Sequence, residues 1–129
     1  MHTFTDRERA YLATQRLGRL ATVDGRGRPH VVPTGFRFDP AENVIDLGGH
    51  DVAATKKFRD ARANPEVAFV VDDLASIDPW RPRAIEIRGQ AQTFTEGGER
   101  LGPGFGPAWI RITPTRVVAW GLDPVSSGA

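Results

Sequence analysis

The sequence predicts a mainly β domain with two short helices, closed or nearly closed into an antiparallel barrel. Three observations carry this. Most apolar residues fall in short runs, often alternating with polar ones and bounded by Gly, Pro, Asn or Asp. Only two stretches carry helix signals, and neither is long. About seven short strands joined by tight turns favour closure, because a closed sheet has no exposed edges.

The elements follow in order. Thr5-Asp6-Arg7-Glu8 has the form of a capping box, so a helix is expected from there to about Arg16, burying Tyr11 and Leu12 and ended by Gly18. From Arg19 the period becomes two. LATV and VVPTGFRF flank DGRGRP, a hairpin with Asp24-Gly25 as its turn. Residues 39–43 form the next turn and VIDLG the next strand. A short basic helix follows, then an Asn64-Pro65 break and VAFVV, which is too continuously apolar to face solvent on one side. AIEIRGQAQTF alternates, and WIRITP and RVVAWG close the chain as a last hairpin. No repeat or internal linker divides the chain. Residues 1–123 are expected to form one domain and residues 124–129 a disordered tail.

Composition narrows the function. With 129 residues the chain suits a single core. Its 17 basic and 16 acidic residues give no broad field of the kind that drives nucleic-acid binding. The absence of cysteine excludes thiol catalysis, disulfides and cysteine-rich metal sites. No apolar run approaches a membrane span, and the first residues lack signal-peptide order, so a cytoplasmic location with no membrane partner is expected.

The positive charge is instead local. Lys56, Lys57, Arg59 and Arg62 crowd into one helix, where Lys57 sits at the edge between the apolar and solvated faces. An edge lysine can bury its stem and offer its ammonium to an anion. The same residues also suit a solvated helix with a Lys56–Asp60 pair. His30 lies within a strand with no second histidine at metal spacing, so it reads as structural or as a contact to a ligand's edge. Trp80, between two prolines and near Arg83, reads as an interface anchor or a pocket wall. The Gly-rich loop from Gly97 to Gly106 lacks the setting of a P-loop and is expected to be a mobile flap.

In their order, LATVDGRGRPHVVPTGF, VIDLGG, TKKFRDARANPEVAFVVDD, IEIRGQA and WIRITPTRVVAWG resemble the split β-barrel flavin and deazaflavin oxidoreductases of the pyridoxamine 5′-phosphate oxidase superfamily. The ending TPTRVVAWGL and the VPTGF strand look most like the branch that uses coenzyme F420, which includes a reductase of tetracycline biosynthesis. The resemblance implies an FMN-binding-like split barrel and a homodimer with cofactor sites at the subunit interface. It places Thr55, Lys56 and Lys57 at the cofactor phosphate, near a helix N-terminus that also favours an anion. It places Pro33, Thr34 and Gly35 beside the tricyclic ring, Leu47 and Gly48 among the cofactor contacts, and Trp120 at the site lining given by the partner chain. Pro33 and Gly35 also suit a bulge in an edge strand, and Trp120 also suits plain packing.

Val31 and Phe36 stand where the flavin oxidases carry an Arg and a Lys, and Ala84 where they carry a glutamine, which favours F420 over FMN. The expected activity is hydride transfer between reduced F420 and a conjugated small molecule, with the proton from solvent or His30. An FMN oxidoreductase, or a non-catalytic binder of a deazaflavin, flavin or tetrapyrrole, are the alternatives.

Overall fold

Residues 3–124 are described by the structure, a computed structural model, so the expected tail from residue 125 onward lies outside the described residues. The chain runs α1 (Asp6–Thr14), β1 (Leu17–Val23), β2 (Pro29–Gly35), β3 (Arg37–Asp39), β4 (Val44–Leu47), α2 (Lys56–Ala63), β5 (Glu66–Ser76), β6 (Arg81–Phe94) and β7 (Trp109–Trp120). Seven strands form one antiparallel sheet in the order β2-β1-β5-β6-β7-β4-β3. The mainly β class with two short helices is therefore as the sequence predicts.

The two outermost strands of that order, β2 and β3, are separated in the chain only by Phe36. The sheet must therefore curl until its edges meet at that residue. The run VVPTGFRF, expected as one strand, is broken there, so that β2 pairs with β1 and β3 with β4.

The opposite correction applies at the C-terminal end. WIRITP and RVVAWG are one strand, β7, and not a hairpin. The register passes from Arg88 opposite Arg116 to Gly89 opposite Pro114, leaving Thr115 as an extra residue. This bulge absorbs the proline, which has no amide to donate. The Thr115 hydroxyl donates to the Arg88 carbonyl at 3.2 Å.

Local chemistry explains the remaining elements. The capping box of α1 forms as expected: the Glu8 amide donates to Thr5 Oγ1 at 3.2 Å, and the Thr5 amide donates to Glu8 Oε1 at 2.9 Å. The helix ends at Thr14, however, and Gly18 lies inside β1. A Cβ on Gly18 would stand 2.2 Å from Phe69 Cζ, so glycine is there to let an aromatic ring pack on the backbone. In the β1–β2 turn the glycine with positive φ is Gly27, at 78°, and not Gly25. Asp24 organises that turn by accepting from the Arg26 and Arg28 amides at 2.9 and 3.0 Å. These bonds hold its carboxyl down at a pKa of about 2.

Cross-strand register sorts the sheet into two faces. Leu20, Phe69, Ile87 and Val117 form one inward row, and Ile45 and Leu47 face Ile112 and Ile110. With Tyr11, Leu12 and Phe58 from the helices, these residues make the core. The outward face carries Pro33, Arg19, Val70, Glu86 and Val118 in one row across five strands. Leu17, Val31 and Trp120 stand exposed on the same face.

Gly18→Ala is expected to cost about 2–3 kcal/mol through overpacking against Phe69. Gly35→Ala, whose Cβ would meet nothing nearer than the Arg16 carbonyl at 3.7 Å, should change stability by less than about 1 kcal/mol. Urea unfolding of the two variants side by side measures the contrast.

Candidate functional site

A cavity of about 650 Å³ opens at the corner where the sheet closes. Its walls come from four places: Ala13 to Arg16 at the end of α1, Gly35 to Arg37 at the corner, Asp46 and Gly48 on and after β4, and Leu101 and Phe105 of the Gly-rich loop. The volume falls within the range of small-molecule and cofactor sites.

Packing fixes the far wall. A Cβ on Gly48 would come within 2.7 Å of Phe105 Cδ2, so the ring rests on bare backbone. The Gly106 amide donates to the Gly49 carbonyl at 2.8 Å, and a Cβ on Gly106 would meet the His50 carbonyl at 2.5 Å. The loop expected to be a mobile flap is thus seated against the end of β4. Gly35 differs, because neither its φ nor its surroundings require a glycine. Its missing side chain leaves space in the cavity rather than room for another part of the chain.

The one acidic residue of the lining is held in a buried ion pair. Asp46 is 1% exposed, and its two oxygens accept from Arg111 Nε at 2.8 Å and Nη2 at 3.0 Å. That bidentate bond raises the Arg111 pKa and compensates a carboxylate that burial alone would destabilise. The guanidinium also lies 5.1 Å from the Trp109 ring centroid, a cation–π contact.

The structure gathers only part of the predicted set in the cavity. Gly35 and Gly48 line it. Thr34 is buried beside them, its hydroxyl donating to the Gly35 carbonyl at 3.1 Å, and Leu47 is wholly within the core. Pro33 and Trp120 lie on the outward face of the sheet and do not line the cavity.

On α2, Thr55 is the N-cap: its hydroxyl accepts from the Phe58 amide at 3.3 Å and donates to the Val52 carbonyl at 2.6 Å. Lys56 pairs with Asp60 at 3.2 Å and Asp24 at 3.7 Å. Lys57 is half-buried and has no hydrogen-bond or ion-pair partner among the described residues. Burial lowers its pKa. His30 is half-buried on the inward side opposite Thr22, and its Nδ1 is buried without a hydrogen-bond partner.

Sequence reasoning missed Ala13 to Arg16, Phe36 and Arg37 as wall, and Asp46, Leu101 and Phe105. One signal was visible: an aspartate between Ile45 and Leu47 in an otherwise apolar strand needs a partner if buried. The others meet only through the packing of α1, the corner and the Gly-rich loop.

Trp80 is exposed near the tip of the β5–β6 hairpin and lines none of these walls. Arg83 serves the fold, bonding Asp73 through Nε at 2.9 Å and Asp123 through Nη1 at 3.0 Å. Tyr11 donates to the same Asp73 at 2.9 Å and Gln15 Nε2 donates to it at 3.2 Å, tying α1 to the sheet. Burial and then the bond to Asp73 raise the Tyr11 pKa. The Arg83 bond, aided by Tyr11 and Gln15, holds the Asp73 carboxyl below the usual carboxylate range. A lowered folded-state pKa contributes stability that is complete above the unfolded value of about 3.9 and is lost as pH falls through the folded one. Asp73→Asn should therefore lower stability at neutral pH and flatten its loss below about pH 4, measured by denaturant unfolding across pH.

Comparison with known proteins agrees with this architecture. The family model described as "Pyridoxamine 5'-phosphate oxidase" matches residues 4–121. A 5a,11a-dehydrotetracycline/5a,11a-dehydrooxytetracycline reductase from Streptomyces rimosus is 43% identical over 120 residues, covering 93% of this chain and 84% of the relative. A FAD-binding protein from Mesorhizobium loti superposes with a TM-score of 0.69 at 22% identity, covering 92% of this chain and 93% of the other. A heme-binding protein from Mycobacterium smegmatis superposes at 0.67 with 17% identity, covering 94% of this chain and 56% of the other. Both structures share the fold. With a family match across nearly its whole length and a reductase at this identity, the chain belongs to the pyridoxamine 5′-phosphate oxidase family of oxidoreductases.

Proposed function

We propose that the protein is an F420-dependent reductase of a conjugated organic small molecule, cytoplasmic and working as a homodimer with its cofactor at the subunit interface. The reductase part is carried by the 43% identity to a dehydrotetracycline reductase over nearly the whole chain. By analogy with that relative, the acceptor is a planar polycyclic compound with an electron-poor double bond.

The residues fit an anionic, ring-shaped cofactor. Lys57 is a half-buried cation with no ion-pair partner among the described residues, beside the N-terminus of α2, and a cofactor phosphate would supply one. Thr55 shapes that terminus as its cap, while Lys56, already paired with two aspartates, adds field rather than a free donor. Gly35 leaves open space where a ring could approach the backbone of β2, with Pro33 and Thr34 preceding it on the same strand and Gly48, just after β4 and its buried Leu47, on the facing wall of the cavity. The chemistry such a group supplies when bound is hydride transfer, and the protein binds, orients and shields it.

F420 is favoured over FMN by what the chain lacks. Val31 is exposed on the outward face, and Phe36 turns inward to an edge contact with Phe69 at 5.5 Å, so neither gives a flavin a polar partner. The homodimer reading is supported by exposed Leu17, Val31, Val118 and Trp120 on one sheet face, the face that also carries Pro33. A second copy on that face would bring Trp120 to its neighbour's site.

Titration of cofactor-free protein with F420 and with FMN, followed by fluorescence, should show tight F420 and weak FMN binding. Lys57→Ala should weaken F420 binding by about 1.5–3 kcal/mol. The reverse preference would make the protein an FMN oxidoreductase, and binding without reoxidation by any conjugated acceptor would make it a carrier. Val31→Glu, at a position exposed within one chain, should yield a folded monomer that has lost F420 affinity. Sedimentation velocity and the same titration would report a dimer, or a monomer with full affinity, if the interface reading is wrong.

A further inference from the structure

The cavity at the sheet corner has walls suited to a flat apolar molecule and a rim suited to an anion. Phe36, Leu101 and Phe105 provide apolar surface. A second cavity of about 440 Å³ shares Ala13, Gln15 and Phe36 with the first and continues over Phe38 and Pro40, so the two form one groove around the Phe36 ring.

The charges around this groove do not balance. Asp46 is the acidic residue of the main cavity's lining, and its carboxylate is already held by Arg111. Arg16 and Arg37 line the same cavity, are exposed to it, and have no hydrogen-bond or ion-pair partner among the described residues. Arg37 lies directly across the β3–β4 pair from Asp46, yet the aspartate turns both oxygens to the strand on its other side. The groove therefore presents two uncompensated guanidinium groups beside an apolar floor. Each offers a planar fork of donors matched to an oxyanion.

We propose that the part of this groove around Phe36, Arg16 and Arg37 takes the acceptor beside the cofactor ring at Gly35 and Gly48, and that the two arginines make it selective for planar conjugated molecules bearing an ionised oxygen at one edge, as an enolate, phenolate or carboxylate. The inference rests on the reductase reading and adds the charge of its substrate. Pairing with guanidinium draws electron density from a conjugated anion, which otherwise resists accepting a hydride. It also fixes which edge of the ring system points outward.

The test uses two probes of equal shape, anthraquinone-2-carboxylate and its neutral carboxamide, titrated by tryptophan fluorescence quenching with and without bound F420. The carboxylate should bind about tenfold more tightly. Arg16→Gln and Arg37→Gln should each reduce that preference, and the double variant should abolish it, with carboxamide and F420 affinities unchanged. Equal binding of the two probes by the unmodified protein, or a preference that survives the double variant, overturns the proposal. So does a parallel loss of F420 affinity, which would assign the arginines to the cofactor. A carboxylate preference that depends on these arginines, in a protein that binds neither F420 nor FMN, would keep the anion site and remove the reductase reading alone.

Discussion

The sheet curls because one residue joins its two edges. β2 and β3 lie at opposite ends of the strand order, and Phe36 alone separates them in the chain. That covalent constraint turns an open seven-stranded sheet into a curled one and places the corner against the core, where Phe36 meets the Phe69 ring edge-on. Phe69 in turn needs Gly18, whose bare backbone receives its ring. Corner, core and first strand therefore depend on each other. The end of α1 and the Gly-rich loop complete the walls of the cavity at that corner.

Buried charge in this protein is compensated in nearly every place the fold creates it. Asp46 has a bidentate arginine, and buried Asp60 has the Thr22 hydroxyl and Lys56. Asp73 is shared by Arg83, Tyr11 and Gln15. Leaving one such group unpaired would cost several kcal/mol, so this pairing is expected. Against that background the half-buried Lys57 stands out, with no hydrogen-bond or ion-pair partner among the described residues. The exposed Arg16 and Arg37 at the corner have none among them either, and the charge of all three is available to a ligand.

The scaffold itself says little about which ligand. Proteins described as FAD-binding and heme-binding share it at low identity. Specificity must come from side chains set on the common sheet. Here those are a corner with an apolar floor and two arginines, a half-buried lysine on α2 and an outward face with exposed aliphatic and aromatic groups.

The amino-acid sequence by itself determined the class, because that information is local. Period-two runs, the Thr5–Glu8 box and the Asn64-Pro65 break specify strands and helices through side-chain alternation and backbone chemistry within a few residues. It also marked Lys57, since the edge of a helical face can be read from spacing alone. The tertiary structure decided how the runs are joined and what they enclose. VVPTGFRF divides and WIRITPTRVVAW does not, because a strand's identity is set by its neighbours in the sheet: the first run serves two different edges, and the second keeps one partner through a bulge at Thr115. Gly18, expected to cap α1, lies inside β1 because Phe69 packs on it from the adjacent strand, and in the following turn Gly27 rather than Gly25 takes the positive φ. The pairing of Asp46 with Arg111 and the meeting of Arg16 with Arg37 span distant parts of the chain. Strand pairing brings them together, β4 with β7 for the first and β1 with β2 for the second, so the charge of the cavity is a property of the fold and not of any one segment.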